Sequence, residues 1–151
     1  MSWTEYFIRM AELVAMKSKD PSTKTGVVIV NKNKTIISTG YNGFPAGVAD
    51  HSYRYADRET KYKMICHAET NAIYQAAKSG ISTDGATMFT SFGPVTCCEC
   101  AKSIIQAGIV DLVGREIDGD FGGGRWNDSI RLGSVMLLEA GVNQRSFNGK
   151  G

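Results

Sequence analysis

A three-layer α/β/α fold with a mixed central sheet is what this sequence predicts, and three observations predict it. An amphipathic helix opens the chain, two short β-rich segments follow with a turn between them, and helical and strand-like segments then alternate toward the end. A hairpin followed by such alternation favours a mixed sheet held between helices. At 151 residues the chain is expected to form one domain, 1–151, burying about two thirds of its unfolded surface around one core.

Each element has its own signal. Ser2 and Glu5 stand in capping-box relation, and Trp3, Phe7, Met10 and Val14 recur at helical spacing to about Lys17. Asp20-Pro21-Ser22 has the composition of a turn, and Val27-Val28-Ile29-Val30 reads as a short buried strand. Asn31 to Lys34 reads as a hairpin turn into a second strand over Thr35 to Thr39. From Gly40 three glycines and a proline forbid regular structure, and the loop they begin runs to about Lys63. That exceeds the roughly 12–15 residues of an idle connection, so the loop is expected to be functional or to order partly on its own. A helix over Ala68 to Lys78 ends at Gly80, and a strand over Thr87 to Ser91 follows. A helix over Cys98 to Ala107 stops at Gly108, before a strand over Ile109 to Val113. Asp118 to Gly124 reads as a loop, and Asp128 to Ala140 as a last helix capped by Gly141.

Composition narrows the function classes. A hydrophobic fraction of 42% with 21% charged residues is that of an ordinary globular protein and leaves no disordered tract. No apolar run approaches the roughly 20 residues of a membrane span, and the amino terminus lacks the pattern of an export signal, so no membrane partner and a cytoplasmic location are expected. A net charge of +2 is too small to announce a surface that coats nucleic acid, which keeps small substrates in view. Cys97, Cys98 and Cys100 are crowded together, and metal binding accounts for them better than disulfides do.

The chemistry concentrates in two short motifs. One of only two histidines lies in His67-Ala68-Glu69, thirty residues before Cys97-x-x-Cys100, and both motifs open predicted helices. Cysteines at i and i+3 share a helix face, whereas Cys98 is rotated by about 100° and is expected to point elsewhere. His67 and Glu69, two apart, would diverge by about 200° inside a helix, so they converge only if His67 sits at the helix entrance. Three protein ligands, His67, Cys97 and Cys100, leave one tetrahedral position open, as in catalytic rather than structural zinc sites. Zinc lowers the pKa of bound water toward about 7, and a neighbouring carboxylate, Glu69, is placed to shuttle the proton. His-x-Glu followed by Pro-Cys-x-x-Cys is the signature of zinc nucleobase deaminases, and here Thr96 replaces the proline. Proline supplies no ligand, and Thr96 is expected to serve as a helix N-cap.

These motifs, with Ser18-Lys19-Asp20-Pro21-Ser22-Thr23-Lys24-Thr25-Gly26 and Gly40-Tyr41-Asn42-Gly43-Phe44-Pro45, make nearly the whole chain resemble the deoxycytidylate (dCMP) deaminase family. The resemblance implies a cytidine-deaminase-like fold and hydrolysis of dCMP to dUMP and ammonia at C4 of cytosine, with Glu69 protonating N3 and then the departing amine. It implies that Asn42 contacts the sugar, that the Ala68 backbone N–H holds the pyrimidine carbonyl, and that Thr23 and Lys24 belong to a loop that selects substrate. Trp126-Asn127-Asp128-Ser129 stands where the family has Tyr-His-Asp-Ser, which makes Trp126 a candidate wall of the substrate site and equally a candidate core anchor. It further implies a homohexamer with a deoxynucleoside triphosphate site on Gly40, Tyr41, Gly43, Phe44 and Pro45, activated by dCTP and inhibited by dTTP with Mg²⁺.

Other readings stay open beside these. Lys24 and Arg125 are candidates for the substrate phosphate, and exposed basic residues are also common without that role. Cys66 and Cys98 read as small buried apolar residues, and His51 as a surface histidine or part of a second metal site. Competing functions are a deaminase of free nucleoside, tRNA or single-stranded DNA, and a zinc module that senses nucleotides without catalysis.

Overall fold

The computed structural model describes residues 1–117 and 127–149. Helix α1 (Trp3–Ala15) starts where Ser2 Oγ accepts the Glu5 N–H at 3.1 Å, while the Glu5 carboxylate turns away to Arg9. Strands β1 (Gly26–Val30) and β2 (Ile36–Tyr41) form an antiparallel hairpin whose turn is closed by Asn31. Two short helices, α2 (Ser52–Ala56) and α3 (Arg58–Met64), lie inside the stretch expected to be a loop. Then come α4 (Ala68–Ser79), β3 (Thr87–Thr90), α5 (Cys98–Gln106), β4 (Asp111–Arg115), α6 (Asn127–Glu139) and β5 (Asn143–Phe147).

The sheet runs in the order β2-β1-β3-β4-β5. β1 is antiparallel to both of its neighbours, and β3, β4 and β5 are parallel, so the sheet is mixed as expected. Every residue of β1 is buried because both faces of the sheet are covered. Val28 and Val30 meet Phe7, Ile8 and Ala11 of α1, while Val27 and Ile29 face the other way, into a core shared with Ala68 and Ala72 of α4, Ala101 and Ile104 of α5, and Leu137 of α6. Full burial of one such Val or Ile side chain stabilises by roughly 1.5–3 kcal/mol, so these two half-cores are what hold the three layers together.

Three details depart from expectation. β2 continues through Gly40 to Tyr41 instead of breaking at Gly40. A Cβ on Gly40 would come within 2.4 Å of Ala68 O and Ala72 N, so the glycine is there to let the α4 backbone lie on the strand. β4 begins two residues later than its apolar run, and β5 carries almost no apolar signal because only Phe147 within it is buried. Among the described residues no helix is long and apolar enough to cross a membrane.

Candidate active site

The first turns of α4 and α5 build the site. His67 is the N-cap of α4 with extended backbone angles (φ −73°, ψ 156°), and its ring makes no capping hydrogen bond. It turns instead to α5, where Nδ1 lies 3.3 Å from Cys100 Sγ and 3.5 Å from Cys97 Sγ. This is the helix-entrance position that convergence with Glu69 demands. Cys97 is likewise the N-cap of α5, and its Sγ accepts the Cys100 N–H at 3.4 Å.

The three donor atoms lie within 4.8 Å of one another and form the one such metal-binding cluster among the described residues. A tetrahedral zinc with ligand bonds of about 2.3 Å to sulfur and 2.0–2.1 Å to nitrogen requires nitrogen–sulfur separations of about 3.6 Å, close to those found. Two thiols and an imidazole suit zinc, and three protein donors leave a fourth position open. The donor set therefore fits the ion. Among the side chains themselves, a hydrogen bond from Cys100 pulls the Cys97 thiol below its ordinary range. Cys100, which makes that bond and is more buried, is held well above it. His67 holds its proton more tightly than usual because Cys97 accepts it, against the effect of burial.

Cys98 takes no part. Its N–H donates to Ser129 Oγ at 3.0 Å, and that hydroxyl donates to Cys98 Sγ at 3.2 Å, so the thiol faces α6. Glu69, second in α4, is buried, and burial pushes its carboxyl above the usual range despite the Thr96 hydrogen bond and the nearby His67 charge. Glu69 Oε2 accepts from Thr96 Oγ1 at 2.6 Å. Thr96 is thus not the N-cap: that place falls to Cys97, and the threonine hydroxyl goes to a side chain.

The surrounding loops are tied through Asn42, which the sequence singled out, and through Asp20 and Lys61, to which it gave no role at the site. The Asn42 amide, expected at the sugar, is buried and engaged within the protein: Oδ1 accepts the Thr25 N–H at 2.9 Å, and Nδ2 donates to Thr23 O at 2.8 Å and Asp20 Oδ2 at 3.3 Å. Asp20, 2% exposed, also pairs with Lys61 at 2.9 Å. Lys24 Nζ donates to Ser18 O, while the Thr23 and Lys24 side chains reach the surface. The Ala68 N–H lies in the first turn of α4, among N–H groups with no intrahelical acceptor. Arg125, Trp126 and the Asp118–Gly124 loop lie outside the described residues.

Of the loop expected to take an effector, Tyr41, Gly43, Phe44 and Pro45 line a cavity of about 150 Å³ together with Lys17 and Lys19. Gly40 does not, being pressed under α4. Gly43 pairs with Cys66 through two backbone hydrogen bonds of 3.1 and 2.8 Å, joining this cavity to the residue before His67. His51 is exposed, stacks on Tyr53 and belongs to no metal-ligating cluster among the described residues.

Residues 1–115 match the family model of the cytidine and deoxycytidylate deaminase zinc-binding region. The chain is 40% identical to deoxycytidylate deaminase of Mus musculus, covering 99% of this chain and 82% of that one, and 39% identical to that of Homo sapiens, covering 97% and 80%. The fold is similar to the crystal structure of the dCMP deaminase from the cyanophage S-TIM5 in complex with dCMP and dUMP, with a TM-score of 0.73 and 28% identity over 95% of each chain. With its histidine and two cysteines converged beside a buried glutamate, this chain belongs to the cytidine and deoxycytidylate deaminase family of zinc-binding hydrolytic enzymes.

Proposed function

We propose that this protein hydrolyses dCMP to dUMP and ammonia, with His67, Cys97 and Cys100 holding zinc and Glu69 moving the protons. The observation that carries the reading is the burial of a non-ligand carboxylate beside three converged metal donors, an arrangement a purely structural zinc site does not need. Zinc bound there supplies Lewis acidity that brings the pKa of water down to about 7. Glu69 carries one proton of the attacking water to N3 of the pyrimidine and the other to the amine leaving C4, so that water and dCMP become dUMP and ammonia. The Ala68 N–H holds the pyrimidine carbonyl. Oδ1 of Asn42, which accepts one internal hydrogen bond, has a second lone pair for a sugar hydroxyl. Thr23, Lys24, Arg125 and Trp126 complete the substrate site around the phosphate and base.

The choice of dCMP rests on similarity to the mouse, human and cyanophage proteins. The same reading takes the 151 residues as one cytoplasmic domain that assembles as a homohexamer and feeds dTMP synthesis. Its regulatory site is the cavity beside Phe44, where Lys17 offers positive charge to the phosphates of dCTP or dTTP with Mg²⁺, next to a Lys19 paired with Asp50 at 3.2 Å. At about 150 Å³ this cavity suits the phosphate end of a nucleotide and not a whole one.

Ammonia release from dCMP, cytidine and a cytosine-containing oligonucleotide, each with and without dCTP or dTTP and Mg²⁺, tests the reading. Turnover of dCMP well above the other two is expected, raised by dCTP and lowered by dTTP. Preference for cytidine or the oligonucleotide would overturn the substrate assignment, and indifference to both triphosphates would remove the regulatory one.

A further inference from the structure

Thr96 stands where the deaminase signature has proline, a residue with no hydroxyl to offer. Its side chain is 3% exposed, and its hydroxyl donates to Oε2 of Glu69, itself 5% exposed, at 2.6 Å. That length is typical of a hydroxyl donating to a carboxylate, and the bond runs between two residues closed off from competing water. The threonine backbone is fixed from the other side. A Cβ on Gly133 would come within 2.7 Å of Thr96 O and 3.3 Å of Cys97 O, so α6 lies directly on this segment, and Ser129 Oγ accepts the N–H of Cys98, two residues on. A donor held this firmly restricts the carboxylate it binds.

We propose that Thr96 is a positioning residue for the deamination: it holds Oε2 of Glu69 so that Oε1 is presented to water and to the pyrimidine. The inference rests on the proposed acid–base role of Glu69 and adds a residue type that lies outside the deaminase signature. A glutamate side chain has three rotatable bonds, and fixing one carboxylate oxygen removes most of the orientations in which the other is misdirected. The substrate need not touch Thr96, so the effect belongs in kcat and not in KM.

The test uses the zinc-loaded protein and its Thr96→Val, Thr96→Ser, Glu69→Gln and Thr96→Val/Glu69→Gln variants. Valine keeps the shape and loses the donor, while serine keeps the donor. Thr96→Val is expected to lower kcat about 10-fold, the size of a lost hydrogen bond to a charged group. KM for dCMP, dUMP affinity by calorimetry and one zinc per chain should stay as in the parent. Thr96→Ser is expected to recover kcat to within about 3-fold, and Thr96→Val to have no further effect once Glu69 is glutamine. A crystal structure of Thr96→Val should show the Glu69 carboxylate displaced. Unchanged kcat in Thr96→Val, or an equal loss in the Glu69→Gln background, overturns the proposal. Loss of zinc from Thr96→Val would make Thr96 a support for the metal segment and overturn it too. If Glu69→Gln itself turns over dCMP normally, it is the acid–base reading that fails.

Discussion

Three cysteines within four residues are given different tasks by where a helix begins. Cys97, as N-cap, lies beside the N–H of Cys100, and the positive end of α5 favours its thiolate. Cys100, on the same face, meets His67, whereas Cys98 meets a serine on α6. The account predicts that Cys98→Ala retains one zinc per chain and loses less than about 1 kcal/mol of stability, because it exchanges one half-buried small side chain for another. Cys100→Ala should retain no tightly bound zinc when assayed by metal analysis after dialysis. Equal zinc loss in both variants would contradict the ligand assignment. Glycine matters at this scale as well: Gly40 and Gly133 occupy points where a single Cβ would strike the backbone next to a ligand-bearing helix start.

Between elements, the loop before β1, the end of β2 and α3 are fastened through Asp20. Burial raises the pKa of its carboxyl, but Lys61 and the N–H groups of Ser22 and Thr23 outweigh that, so the folded value lies below the ordinary one. A depressed carboxyl pKa contributes stability that is present above the unfolded value near 3.9 and is lost as pH falls through the folded value. Lys61→Met strands a buried carboxylate and is expected to cost about 3 kcal/mol at pH 7 in denaturant unfolding of the zinc-loaded protein. That cost should shrink as pH falls, first as the stranded Asp20 of the variant takes up a proton and finally as pH drops through the depressed folded value of the parent. A cost independent of pH would show that the lysine acts through packing alone. None of this fastening was legible beforehand, because Lys61 lies 41 residues from Asp20 and in a helix with no apolar face. Among the elements that were legible, α1, α4 and α5 bury apolar residues at helical spacing and β1 is an apolar run buried on both faces, while β3 and α6 also fall where expected. β5 escaped notice for the opposite reason: Asn143, Gln144, Arg145 and Ser146 sit at the sheet margin, held by parallel pairing to β4 and not by side-chain burial.

Across the whole molecule, the mixed sheet carries α4 and α5 side by side so that two motifs thirty residues apart meet at their first turns. The ligand set could be read from spacing because i and i+3 on a helix is a geometric statement, and so could the need for His67 at a helix entrance. The Thr96–Glu69 contact could not, since it depends on how closely the two helix starts approach and on α6 lying over one of them. The central claim is that a three-donor zinc site is made catalytic by one buried glutamate, and Glu69→Gln tests it most directly. With zinc content and dCMP turnover measured on the same sample, the variant should keep one zinc per chain and lose at least about 100-fold in kcat. Zinc retained together with full turnover would contradict the account.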